Sequence, residues 1–220
     1  MAAGKGRMGM PGMDRGTQTD VIDTLAGIKP GSALDALRNR RPDARKQAQA
    51  SYRALFAPEI PGEVTATERF AVAAFVTGLH GEAETASFYA AGLAASGAAG
   101  GASPELRRAI NTAIAAVKAV KARGPYGAYP AGKLSREDTT GPTHRVAAET
   151  RRALGPRLAA AFDHMHLLVF HPRDAAPAAL QALLDAGWST TDIVTLSQIA
   201  AFLSFQIRVV AGLRVLAGPA

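Results

Sequence analysis

The sequence predicts an all-α fold, and three observations carry that expectation. Apolar residues make up 48% of the chain, largely alanine, while aromatics reach only 6%. Such a composition favours closely packed helices over a β-sandwich, whose strands draw on aromatic and β-branched residues. Hydroxyl and acidic residues recur just before apolar runs, with glycine or proline just after them, which is how helices start and stop. No stretch keeps the apolar–polar alternation of a half-buried strand.

The elements follow in order. MAAGKGRMGMPGMDRGTQT (1–19) reads as a disordered leader, without the apolar stretch of a signal peptide. Residues 20–60 form a helical arm: a short apolar element at VIDTLAGI, a Pro-Gly turn, a helix capped by Ser32 or Asp35, and a second opened by Pro42 and Asp43. Ala48, Tyr52, Leu55 and Phe56 share one stripe of that second helix. PEIPGE (58–63) is a turn, after which 61–220 reads as the main helical domain. Thr65 or Thr67 caps ERFAVAAFVTGLHG, a helix apolar nearly all round and therefore buried on most sides. Gly81 interrupts it, and EAETASFYAAGLAASG continues as a helix ending in glycine. Ser103, Pro104 and Glu105 open the next. Residues 123–142, with two tyrosines and three prolines, read as an ordered loop laid over a surface. Two helical stretches then run to His171 and Pro172, with Asp174 capping a short helix that ends at Gly187. STTDIVTLSQIAAFLSFQIRVVAGLRVLAG is the last helix, with Gln198 and Gln206 as expected buried amides. Its start echoes TATERFAVAAFV at 65–76, a faint internal repeat of helix pairs.

Several function classes drop out on composition. There is no cysteine, which removes disulfides, thiolate metal ligands and every thiol mechanism together. The longest unbroken apolar runs are far shorter than the ~20 residues of a membrane span, so a cytoplasmic chain is expected. A net charge of +7 raises the question of nucleic acid, and Arg38, Arg40, Arg41, Arg45 and Lys46 form its densest run. No aromatic–basic interleaving or binding module accompanies them, and a basic balance alone speaks to solubility and non-specific attraction.

LLDAGWSTTDIVTLSQIAAFLSFQIRVVAGLRVL, together with GPYGAYPAGKLS, HLLVFHPRDA and VIDTLAGIKPGS, resembles the carboxymuconolactone decarboxylase and alkylhydroperoxidase-D superfamily, in its peroxidase-related branch. The resemblance spans residues 20 to 217. It implies an all-helical protomer assembled as a homo-oligomer, a trimer or hexamer, and an activity that is oxidoreductase-like or decarboxylase-like. In the hydroperoxidase members a helix glutamate precedes a Cys-x-x-Cys pair and a histidine. The resemblance matches Glu68 to that glutamate, Glu82 and Thr85 to the two cysteines, and Tyr89 to the histidine. A carboxylate cannot exchange thiols with a disulfide, so this chain alone is not expected to be a thiol peroxidase. Acid–base chemistry on a small molecule is the remaining catalytic reading; a non-catalytic partner of a cysteine-containing relative is the alternative.

Glu68, His80, Glu82 and Tyr89 are therefore the candidate catalytic residues, with no cofactor expected. His80 sits beside the interrupting Gly81, where a side chain can face a cavity; Glu82 and Tyr89 are nearly two turns apart and share a face. The competing reading makes these a helix-end histidine, solvated acids and a core tyrosine. Ser197, Ser204 and Arg208 form a polar stripe on the last helix that must find partners. His164 and His166 are two apart and point to opposite sides of a helix. That spacing argues against the i, i+4 arrangement of helical metal sites, and no metal is expected.

Overall fold

The computed structural model describes residues 19–97 and 101–218. Among them every regular element is helical: α1 (Val21–Ala26), α2 (Ala33–Asn39), α3 (Pro42–Phe56), α4 (Ala66–His80), α5 (Ala83–Ala95), α6 (Pro104–Ala119), α7 (Ala148–Phe170), α8 (Pro177–Asp185) and α9 (Thr190–Ala217). One isolated bridge, between Gly127 and Thr139, is their only sheet-like pairing. The leader expected over 1–19 lies, apart from residue 19, outside the described residues.

The bundle is built around α4. Every residue from Arg69 to Leu79 is buried, and α3, α5, α6, α7 and α9 all pack against it. Thr65 accepts a hydrogen bond from the Glu68 N–H at 3.1 Å while Glu68 accepts from the Thr65 N–H at 2.9 Å, a complete capping box. At the other end Gly81 takes the left-handed conformation (φ 74°) that closes the helix. Mid-helix, the Thr77 hydroxyl donates back to the Ala73 carbonyl at 2.8 Å, so its polar atom costs little inside the core. Small residues set how near the neighbours come. A methyl group on Gly92 of α5 would stand 2.3 Å from Cε1 of Phe70.

The arm joins the same core. Tyr52 and Phe56 of α3 meet Phe70, Phe88, Tyr89 and Phe202 in a cluster of rings with centroids 5.0 to 6.5 Å apart. Arg69, buried in α4, donates to the carbonyls of Leu55, Pro61 and Val64 at 2.7 to 3.0 Å and fastens the intervening turn. Within the arm Arg38 pairs with Asp20 and Asp23, and Arg45 with Asp23 and Asp35. Two of the five cations in the basic run are thus spent on internal ion pairs. Ser32, not Asp35, caps α2; Asp35 instead accepts from the Gly31 N–H at 2.9 Å.

Residues 123–142 lie, as expected, as an ordered loop. The Tyr126 N–H donates to the Phe170 carbonyl at 2.6 Å, and the Arg173 guanidinium covers the Tyr129 ring at 4.1 Å. α7 breaks at Gly155 (φ 77°, ψ 165°), immediately before Pro156, which has no N–H to offer a continuous helix. Two sequence expectations fail here. Asp174 does not cap α8, whose first residue follows Ala176 without a side-chain cap; His171 competes for the carboxylate and holds it at 2.9 Å. Gln198 is exposed, because it shares the outward face of α9 with Val194 and Ala201, whereas Gln206 is fully buried.

α9 begins with a second capping box, Ser189 with Asp192, and packs on α1, α3, α4, α7 and α8. By length and composition it is apolar enough to cross a membrane, yet 44% of its most apolar stretch is buried against these helices. Its outward stripe carries Val194, Phe205, Val215 and Leu216, all exposed. The segments 65–76 and 189–200 both open with a capping box; α4 and α5 are separated at Gly81, while α9 runs unbroken for 28 residues.

Gly92→Ala tests the packing on α4 directly. The buried Phe70 ring has to shift, and overpacking of this kind costs about 1–3 kcal/mol. Denaturant unfolding should show that loss with an unchanged m-value.

Candidate functional site

The four residues singled out in the sequence do not meet. Glu68 and His80 stand at opposite ends of α4, about 18 Å apart along its axis. Each of the four is engaged by a different partner. Glu68 closes its capping box and also accepts from Arg157 Nε at 2.9 Å. Glu82 caps α5, accepting from the Thr85 hydroxyl at 2.7 Å, and pairs with Arg214 at 2.7 Å. Burial works against its ionisation, but the Thr85 donors and the Arg214 charge outweigh that and hold it below the usual range. Tyr89, fully buried, donates to Gln206 Oε1 at 2.8 Å; burial raises its hydroxyl well above the ordinary value, Tyr52 adds to this and the Gln206 bond offsets part of it. His80 lies 3.3 Å from the Ser204 hydroxyl, and burial, then the Arg208 charge, lower its proton affinity. Three of these contacts reach α9, so the four side chains act as braces between α4–α5 and the rest of the bundle.

A cleft opens elsewhere, with a volume of about 1170 Å³, between α8, both parts of α7 and residues 143–145. None of the four braces lines it. Four of the chain's five histidines do: His144, His164, His166 and His171. The break at Gly155 and Pro156 forms part of its wall, and α8 contributes Ala178, Ala179 and Ala182 from one face, continued by Ala186 just past its end.

Three of the imidazoles lie in a row. The His166 ring is 5.4 Å from His144 and 5.9 Å from His171. His171 is anchored at both nitrogens: Nε2 donates to the Pro142 carbonyl at 3.0 Å, and Nδ1 shares a hydrogen bond with Asp174 Oδ2 at 2.9 Å. Both partners hold the ring in place, one at each nitrogen. The loop carrying His144 is held by Asp163, which accepts from the Val146 N–H at 2.7 Å and pairs with Arg151.

The other rings are unanchored. His144 Nε2, His166 Nε2 and both nitrogens of His164 are buried without a hydrogen-bond partner among the described residues. Burial, reinforced by the nearby His144 and His171, pushes His166 down to about 4; burial likewise lowers His144, with Asp163 opposing, and His164. At neutral pH these rings are uncharged, each with one donor and one acceptor nitrogen. No group of three or more histidines and carboxylates among the described residues has the geometry to hold a metal ion.

Sequence reasoning named the three histidines of 164–171 but set them aside as helix punctuation. It missed His144, which lies 22 residues before His166 and reaches it only through the fold. Compared with protein-family models, curated proteins and solved structures, the chain matches none.

The depressed affinity of His166 fixes the sign of a pH effect. Its folded value, about 4, lies below the ordinary 6.5, so between these values the unfolded chain binds more protons. This ring costs no protonation penalty above pH 6.5, and the protein loses stability through it as pH falls from there toward 4. His166→Phe should flatten the acid side of the stability–pH curve over that window, as read by thermal unfolding at a series of pH values.

Proposed function

We propose that this chain binds a small molecule in the α7–α8 cleft and carries out acid–base chemistry on it with uncharged imidazoles, as a cysteine-less member of the superfamily that its sequence resembles. One observation carries the reading: imidazole nitrogens of His144, His164 and His166 are buried in the cleft wall without a partner. Buried polar atoms are nearly always satisfied, and those that are not mark a place for a ligand, a water or catalysis. A neutral imidazole takes a proton at one nitrogen and releases one from the other, which is the general acid–base role. His171, tied to Asp174 and Pro142, positions the row. His144 and His166, which line the cleft, are the groups assigned to the substrate.

Titration with a library of small polar molecules, followed through the histidine ring signals by NMR, tests this reading. Binding compounds should move the His144 and His166 signals, and His166→Phe should abolish the effect while leaving the helical spectrum intact. Ligands that move His80 and Tyr89 instead would place the site on α4–α5 and remove the proposal.

A further inference from the structure

The walls of the cleft also define the class of molecule that fits it. Taken at face value the lining is charge-balanced, with Arg145, Arg151 and Arg152 facing Asp163, Asp174 and Asp185. The pairing is uneven, however. Arg151 is bound to Asp163, and Asp174 to His171. Asp185 accepts from Gln181 Nε2 at 2.8 Å and sits at the far end of α8. Arg145 and Arg152 are exposed and form no ion pair among the described residues. Two cations without an ionic partner therefore stand beside the uncharged rings of His144 and His166, while Asp185, held only by a neutral amide, lies at the far end of the wall.

The rest of the cleft is apolar and smooth. Ala178, Ala179 and Ala182 on α8 face Ala148, Ala160 and Leu167 on α7. From Ala176 to Ala186 this wall runs about 15 Å at the rise of a helix. Alanine offers no hydrogen bonds and leaves room, so the wall suits an elongated hydrocarbon or aryl body rather than a sugar or a peptide backbone.

We infer that the ligand of this cleft is an amphipathic organic monoanion, its oxyanion head between Arg145, Arg152 and His144 and its apolar body along the alanine face of α8. The inference rests on the cleft being the functional site. Its chemical consequence concerns His166. A negative charge brought beside a buried neutral imidazole favours the protonated ring, so the bound anion raises the proton affinity of His166 from about 4 toward the range where histidine works as a general base. Asp163, Asp174, His144 and His171 are the other titratable groups around that ring; Asp163 is paired with Arg151, and Asp174 is hydrogen-bonded to His171. The substrate's own charge thus prepares the residue that acts on it.

The test compares octanoate, octyl phosphate, octanol and octylamine, which share a body and differ in the head. Affinities are measured by calorimetry, and ring titrations by NMR, on the full chain. Either anion should bind at least tenfold more tightly than octanol, and the tighter of the two tells a carboxylate from a phosphate head. The bound anion should raise the His166 midpoint by a unit or more. Arg145→Ala with Arg152→Ala should remove the preference for anions while octanol binding stays unchanged, and Ala182→Trp, which fills the apolar wall, should block all of them. Octanol or octylamine binding as tightly as the anions while still moving His144 and His166 would overturn the anion assignment and leave the cleft reading standing. If no probe moves those rings, or if Ala182→Trp has no effect on binding, both fail together.

Discussion

A helix that meets water along almost none of its length has to settle its polar groups inside the protein, and α4 imposes that condition on its neighbours. Its first turn needs acceptors, supplied by Thr65 and Glu68; its last turn needs a left-handed exit, supplied by Gly81. Glu68 is then a carboxylate near the core with one oxygen to spare, and Arg157 takes it. Arg157 also lies 3.9 Å from Asp192, the capping acid of α9, and donates to the Gly187 carbonyl. Its guanidinium covers Trp188 at 3.9 Å, while its own carbonyl accepts from the Trp188 indole at 2.9 Å. One cation therefore joins the starts of α4 and α9 to the α8–α9 turn. Charge-assisted bonds of this kind hold geometry better than apolar contact alone.

The cleft opens at the same break in α7 that precedes Arg157. That residue lies two residues after Gly155, and the chain can deliver it to both capping acids because α7 breaks there and restarts with Pro156. The break divides α7 into two parts, which together with α8 wall the cleft. Stabilising contacts and candidate chemistry thus occupy opposite sides of α7: Arg157 toward α4 and α9, His166 and its neighbours toward the opening. The braces Glu82, Tyr89 and His80 belong to the first group. They are hydrogen-bonded to Thr85, Arg214, Gln206 and Ser204, partners that tie α4 and α5 to α9.

What could be read from the sequence was local. Thr65 with Glu68 and Ser189 with Asp192 are three apart, so a capping box is visible in the residues themselves, and Gly81 and Gly155 mark ends that backbone sterics require. What escaped depends on partners far along the chain. Arg157 meets Glu68 across 89 residues and Trp188 across 31, and nothing near Arg157 announces either. Asp174 looked like a cap because an acid stands shortly before α8, but a longer-range competitor, the His171 ring anchored on Pro142, holds its carboxylate. The acids and tyrosine of α4–α5 drew notice as reactive types on buried helices. The same types serve equally well as braces, and only the identity of their partners separates the two uses.

The division between braces and working groups makes opposite demands on stability. A brace loses its bond when truncated and leaves a buried partner unsatisfied, at about 1–3 kcal/mol. A buried imidazole without a partner is already a cost, so replacing it with an apolar ring is neutral or stabilising. The most direct measurement is the unfolding free energy at neutral pH of Glu82→Gln and Tyr89→Phe set against His144→Phe and His166→Phe. Losses in the first pair with no loss, or a gain, in the second are the expected result. Unchanged or increased stability in the α4–α5 variants, with clear losses in the cleft variants, would contradict the assignment of chemistry to the histidine cleft.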